Sequence, residues 1–149
     1  MKRFKEDELF DRVFPILKRY HRIPRNHKVE FHKYLRGFEI DVYVTWRSRG
    51  WPSIKSMIVE LKEIDMPKLV EQVVKRRDLA LFAYAVINIP VDKLFRWLVQ
   101  YHLDLAEKLV RKNIGLISFD RNNKPVLLLK SDMNTNWILD NFIKRKSDE

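Results

Sequence analysis

The chain contains no cysteine, which excludes disulfide bridges and thiolate metal centres. Three glycines in 149 residues leave little room for flexible linkers. Neither a Walker-type lysine loop, a dinucleotide fingerprint nor a Gly-x-Ser-x-Gly elbow occurs. Long apolar runs are missing as well. The nearest to one, Leu79 to Pro90, contains Tyr84 and Asn88 and falls well short of the roughly 18 residues that a bilayer-spanning helix needs. The opening Met1-Lys2-Arg3-Phe4-Lys5-Glu6-Asp7 lacks the apolar core of a signal peptide, so a cytoplasmic protein without a membrane partner is expected.

Charge is abundant. Thirty Lys and Arg against 20 Asp and Glu give a formal net charge of +10, a field that attracts polyanions and speeds encounter with them. DNA is the expected partner, with RNA the alternative. Hydrophobic residues at 46% and charged residues at 34% make a globular balance rather than a disordered one. The length suits a single domain over residues 1–149 that buries roughly two-thirds of its unfolded surface.

Periodicity supplies the element order. Leu9, Phe10, Val13, Phe14 and Leu17 recur at helical spacing from residue 6 to about 20, with Pro15 implying a kink or break. Lys28 to Arg36 and Phe38 to Trp46 alternate on either side of Gly37 and predict an antiparallel pair joined by a tight turn. In the second of these, Ile40, Val42 and Val44 are expected on one face and Asp41, Tyr43 and Thr45 on the other. A loop over 48–53 leads to a third strand, Ile54 to Glu63. Asp65-Met66-Pro67 starts a helix to about Leu79, and the apolar run Phe82 to Ile89 reads as a buried strand. A long helix from Val91 or Asp92 to about Lys112 follows, striped by Leu94, Leu98, Tyr101, Leu105 and Leu109. Strands over 114–119 and 125–130 form a hairpin, and a short helix over 134–144 ends in the basic tail Lys144-Arg145-Lys146. Mixed strands with helices on their faces predict a three-layer α/β domain, its core over about 6–90 and an elaboration over about 91–149.

Chemistry concentrates in two of the strands. Asp41 lies within Phe38 to Val44, and Glu60-Leu61-Lys62 closes the run Met57-Ile58-Val59. Strand side chains alternate faces, so Glu60 and Lys62 point one way, and Asp41 on the neighbouring strand can meet Glu60. Two carboxylates offer hard oxygen ligands suited to Mg²⁺ or Mn²⁺. The competing interpretation is a solvated sheet face, whose charged pairs are worth roughly 0.2–1 kcal/mol each. A lone Glu-x-Lys carries almost no information; its place in an apolar strand, after an Asp-bearing strand and before a helix, is what counts.

This order and these residues resemble the PD-(D/E)XK nuclease superfamily, the restriction-endonuclease-like fold that includes archaeal Holliday-junction resolvases and RecB-type nucleases. The resemblance covers about 6–90 and implies an α-β-β-β-α-β core with a mixed central sheet. It implies a Mg²⁺-dependent or Mn²⁺-dependent DNA endonuclease in which Asp41, Glu60 and the backbone carbonyl of Leu61 hold the metal and Lys62 is the catalytic lysine. Gln72, on the helix after the third strand, would support Lys62, and a first-helix glutamate would come from Glu6 or Glu8. Ile40 stands where the proline of the family name would be, a position that carries no chemistry. A catalytically inactive nucleic-acid-binding module with the same fold is the rival expectation.

Other candidates are weaker. His21, His27, His32 and His102 include no i, i+4 pair, so surface or phosphate contacts are expected rather than zinc ligation. Lys75, Arg76 and Arg77 on the second helix and Arg47, Arg49 and Trp51 in the loop are candidate nucleic-acid contacts, and Trp46 is a candidate for stacking. Enzymes that cut two strands commonly work as homodimers; the apolar stripe of the long helix is one candidate interface, and packing on the sheet is the simpler explanation for it.

Overall fold

A computed structural model describes residues 6–143. The elements are α1 (Asp7–His21), β1 (Lys28–Leu35), β2 (Phe38–Arg47), β3 (Ile54–Lys62), α2 (Met66–Arg76), β4 (Phe82–Pro90), α3 (Val91–Tyr101), α4 (Leu103–Arg111), β5 (Gly115–Phe119), β6 (Pro125–Leu129) and α5 (Thr135–Ile138). A 3-10 turn, Arg77–Leu79, extends α2, and a π-helical turn, Leu139–Ile143, extends α5.

With so few glycines, left-handed backbone falls on other residues. Arg36 and Gly37, at φ 47° and 84°, make the two-residue β1–β2 turn, the positive-φ pair that matches strand twist. Arg22 at φ 52° ends α1, its N–H bonding the Lys18 carbonyl. α2 starts where the Asp65 carboxylate accepts the Lys68 N–H at 3.1 Å, with Pro67 in the first turn where no amide is needed.

The six strands follow chain order across one mixed sheet. β1, β2 and β3 form an antiparallel meander, β3 to β4 to β5 are parallel, and β6 returns antiparallel on β5. One face carries α1 and the C-terminal segment around Trp137, where Leu9, Phe10, Val13 and Leu17 meet Val42, Met57, Val59, Leu61 and Tyr84. On the other face Leu69, Val70 and Val73 of α2 and Leu94, Leu98, Leu105 and Leu109 of α3 and α4 meet Ile58, Ala83, Ala85 and Ile87. β4 is central and its residues 82–87 are buried, which is why that run is apolar without alternation. The expected three-layer α/β architecture is present. No helix among the described residues is long and apolar enough to cross a membrane.

Four expectations need correction. The long helix is two, α3 and α4, separated at His102, whose φ of −140° leaves helical geometry and whose ring lies 4.0 Å from that of Trp97. Tyr101, expected in its buried stripe, is 72% exposed at that break. α1 runs through Pro15 without interruption, the proline lying on the exposed side. Ile40 does not share the face of Val42 and Val44: it packs against the α2 layer. The cause is His32 at φ 54°, across the hairpin between the pairs Phe31 with Val42 and Lys33 with Ile40. Val29 and Phe31 before it pack on the α1 side, whereas Leu35 and Phe38 after it pack on the other. The tail Lys144-Arg145-Lys146 lies outside the described residues.

Gly115 on β5 pairs with Tyr84 on β4, and a methyl group there would overlap the Tyr84 ring and stand 2.9 Å from the Leu129 carbonyl oxygen. Displacing that ring would also break its bonds to His21 Nε2, at 2.5 Å, and to the Ser131 N–H, at 3.1 Å. Gly115→Ala is therefore expected to cost about 3 kcal/mol and lower Tm by roughly 6–12 °C in a thermal melt. A second expectation concerns acid stability. Burial, aided by the charges of Lys130 and Lys55, pulls the His21 pKa down to about 4 from 6.5. The folded state thus binds this proton less readily than the unfolded chain, so the stabilisation is complete above pH 6.5 and fades as pH falls toward 4. Urea midpoints should drop across that window by the equivalent of up to about 3 kcal/mol, and His21→Gln should shrink the drop.

Candidate functional site

The β2–β3 ladder runs from Arg47 and Ile54 to Val42 and Val59 and stops there. Asp41 and Glu60 are next in register, and their side chains replace the missing rungs. The Asp41 N–H donates to Glu60 Oε2 at 3.2 Å, and the Leu61 N–H donates to Asp41 Oδ2 at 2.8 Å. Each carboxylate thus satisfies an amide on or beside the other's strand, which lets the strands part without orphaned donors. The two residues face each other on the α2 side of the sheet.

Glu60 is only 2% exposed. Burial raises its pKa well above the ordinary carboxylate value, and the adjoining Asp41 charge pushes it further the same way; Arg76 only partly opposes this. Arg76 Nε stands 3.3 Å from Glu60 Oε1, yet neither atom has a hydrogen-bond partner because the two are misaligned. Arg76 is otherwise held by its Nη1 bond to the Gln72 carbonyl at 3.0 Å and by the Phe38 ring, 5.1 Å from Cζ. A buried carboxylate oxygen without a hydrogen-bond donor, beside a second carboxylate, has room in its coordination for a cation.

A second acidic group adjoins the first. Asp7, buried at the start of α1, bonds His32 Nε2 at 3.0 Å, and Glu39 approaches His32 Nδ1 at 3.3 Å. Burial disfavours the imidazolium, but the Asp7 hydrogen bond and the charges of Asp7, Asp41 and Glu39 outweigh it and raise the His32 pKa above 6.5. Sequence reasoning missed both residues. Of the first-helix acids, Asp7 is the buried one; Glu8 is exposed, and Glu6 sits at the N-cap position without a side-chain capping bond. The available signal was the apolar stripe itself, since Asp7 lies three residues before Phe10 and ten before Leu17, on the buried face. His32 left no sequence signal of its role.

The remaining candidates divide between the site and other surfaces. Lys62 is half-buried at the end of β3, two residues beyond Glu60 and on its face by alternation. Gln72 is half-buried on α2, one turn before Arg76 and on the same flank. The backbone of Leu61 lies within the carboxylate pair, through its N–H. Among the described residues no three His, Asp or Glu side chains form a metal-holding group by themselves, so any metal there would need backbone and solvent oxygen as well. Lys75 is exposed and pairs with Glu71 at 3.0 Å. Arg47 ends β2, six positions or about 20 Å along the strand from Asp41, and Arg49 lies in the loop beyond it; both are exposed. Trp46 is buried and stacked on Phe82, whereas Trp51 is 63% exposed.

Arg77 is not a surface contact. It is 3% exposed and gives its N–H groups to the carbonyls of Lys112, Ala80, Leu81, Asn113 and Asp132, at 2.8 to 3.3 Å. Burial pulls its pKa down to about 10 against the charges of Asp78 and Asp132, and it remains a cation at neutral pH.

No protein-family model matches the chain, and no curated protein matches it. Among solved structures the chain is similar to SfsA of Pyrococcus furiosus, determined in complex with Ca²⁺, at 10% identity and a TM-score of 0.37. The likeness covers 85% of this chain and 61% of that one. So low a TM-score fixes neither the details of the fold nor an activity.

A lysine at position 77 could supply only three donors from a point, leaving at least two of the five carbonyls without partners. Arg77→Lys should cost about 2–4 kcal/mol and lower Tm by roughly 5–15 °C in a thermal melt. It should leave the salt dependence of nucleic-acid binding unchanged.

Proposed function

We propose that the protein is a metal-dependent nuclease of the PD-(D/E)XK type, hydrolysing phosphodiester bonds in DNA. The observation that carries this reading is the reciprocal Asp41–Glu60 pair at the point where β2 and β3 part, with Glu60 Oε1 buried and lacking a hydrogen-bond donor. A solvated sheet face would expose both carboxylates and would not need either to replace a ladder rung.

Asp41 and Glu60 would hold Mg²⁺ or Mn²⁺ together with the Leu61 carbonyl, an all-oxygen set of the kind these ions take. When bound, the ion would supply charge neutralisation at the phosphate and a water of lowered pKa. Lys62 would present its ammonium to the scissile phosphate and stabilise the charge that builds on it. Gln72, a turn from Arg76, would brace Lys62 or the attacking water. Arg76 would offset the charge that two close carboxylates bring together, and Asp7 through His32 would hold the neighbouring rim of acids in place.

The net charge of +10 and the lack of a dedicated base-reading motif favour recognition of DNA shape over sequence, with branched DNA as the favoured substrate. Cutting two strands would call for a homodimer. A second reading, a non-catalytic nucleic-acid-binding module, is favoured by one observation: Arg76 already stands against Glu60, where a cation would otherwise be required.

Metal binding separates the two. Mn²⁺ should bind one site per chain by calorimetry or electron paramagnetic resonance, and Asp41→Asn and Glu60→Gln should each weaken it severely. In the presence of Mg²⁺ these variants and Lys62→Ala should each lose at least about 100-fold in cleavage of linear or branched DNA, with circular dichroism unchanged. DNA affinity should persist and fall with log salt at a slope near −5 if about six phosphates are neutralised. Near-native turnover in any two variants rules out the assignment; Mn²⁺ binding without cleavage points to the non-catalytic module.

A further inference from the structure

The opposite end of the sheet holds a second polar recess, apart from the carboxylate pair. It is an open cavity of about 240 Å³ where the end of α1 meets the start of β3 and β4 and the end of β6, with His21, Arg22, Lys55 and Lys130 in its wall. Lys55 precedes Glu60 by five positions on β3, so the two sites lie roughly 16 Å apart along the strand.

Three features make this recess a built site for an anion. The first is uncompensated charge. Some exposed cations elsewhere pair with carboxylates, as Lys28 does with Glu30, Lys75 with Glu71 and Arg121 with Asp92; what sets the recess apart is that three cations share one wall. Among the described residues Arg22, Lys55 and Lys130 form no salt bridge, and Asp132 is the one carboxylate in the lining. The second is a directed donor. Tyr84 Oη accepts the Ser131 N–H at 3.1 Å and lies 2.5 Å from His21 Nε2. With its oxygen already accepting, the buried hydroxyl is satisfied by donating to Nε2, which places the imidazole proton on Nδ1. Nδ1 has no hydrogen-bond partner among the described residues, and it belongs to a side chain that lines the recess. The third is rigidity. His21 is held by Tyr84 and by the Phe82 ring at 4.3 Å, and Tyr84 is seated over Gly115.

We propose that this recess is a phosphate-binding site, distinct from the carboxylate pair, in which Lys55, Lys130 and Arg22 neutralise the anion and His21 Nδ1–H orients it. Two ammonium groups, a guanidinium and a neutral N–H donor suit a tetrahedral oxyanion, which offers acceptors in several directions. The phosphate could be free or the terminal phosphate of a nucleic-acid strand; the chemistry is shared.

The test uses the full chain in the presence of a chelator, so its result does not depend on the nuclease reading. Inorganic phosphate is titrated while the His21 and Lys55 resonances are followed by nuclear magnetic resonance. Saturable one-site binding is expected, weakened at least about ten-fold in Lys55→Ala/Lys130→Ala. The charge-matched control Lys68→Ala/Lys108→Ala, whose lysines lie on α2 and α4, should change it by less than about two-fold. Absence of saturation, or equal weakening in both double variants, overturns the proposal. Short oligonucleotides with a 5′-phosphate and with a 5′-hydroxyl, each competed against inorganic phosphate, then identify the source. Displacement by the phosphorylated strand alone assigns the site to a strand end, and displacement by neither assigns it to the free anion.

Discussion

The guanidinium of Arg77 is the contact on which the arrangement of the α2 side depends. Its hydrogen bonds tie the end of α2 to the two residues before β4, to the turn before β5 and to the segment after β6. Asn134 closes the same knot by donating to the Arg77 carbonyl at 3.1 Å and to Asp78 at 2.8 Å. A cation is costly to bury, and only a full set of acceptors offsets that cost. The rotation of α2 about its axis follows. With Arg77 turned inward, Arg76 is directed at Glu60 and Gln72 lies one turn away on the same flank.

The site so framed is an unfavourable one for an isolated protein. Glu60 is buried beside a second carboxylate, faced by a cation whose Nε–H is misaligned, and the β-ladder is interrupted to accommodate the pair. Local strain adds to this at His32, whose left-handed backbone turns the hairpin end across the sheet. Such departures from good packing cost about 1–3 kcal/mol each and persist where surrounding structure over-determines them. The face change at His32 brings Phe38 under Arg76 and sets His32 between Asp7 and Glu39, so the strain and the acidic cluster share one origin. The other end of β3 shows a different pattern, three cations with a single carboxylate, Asp132, around the His21 imidazole.

What the sequence by itself determined was the order of the strands and the antiparallel pairing of the first three and of the last two. Alternation marked β2 and β3, and the unbroken apolar run marked β4 as central. Gly37 marked the turn of the first hairpin, and the faces of β2 and β3 let Asp41 meet Glu60. These are local properties, set by side-chain period and turn chemistry, and neighbouring residues suffice to express them. Only the tertiary structure decided which acid of α1 is buried, since Glu6, Asp7 and Glu8 differ by rotations that only the docking of α1 on the sheet resolves. It also decided that α3 and α4 separate at His102, because Leu94, Leu98, Leu105 and Leu109 keep a spacing that one straight helix would satisfy equally. Among Lys75, Arg76 and Arg77, three adjacent cations, Lys75 pairs with Glu71 on its own helix, whereas the ion pairing of Arg76 and the burial of Arg77 follow from partners that distant segments bring. Carbonyls from residues 80 to 132 converge on Arg77, and no local pattern in the sequence encodes that convergence.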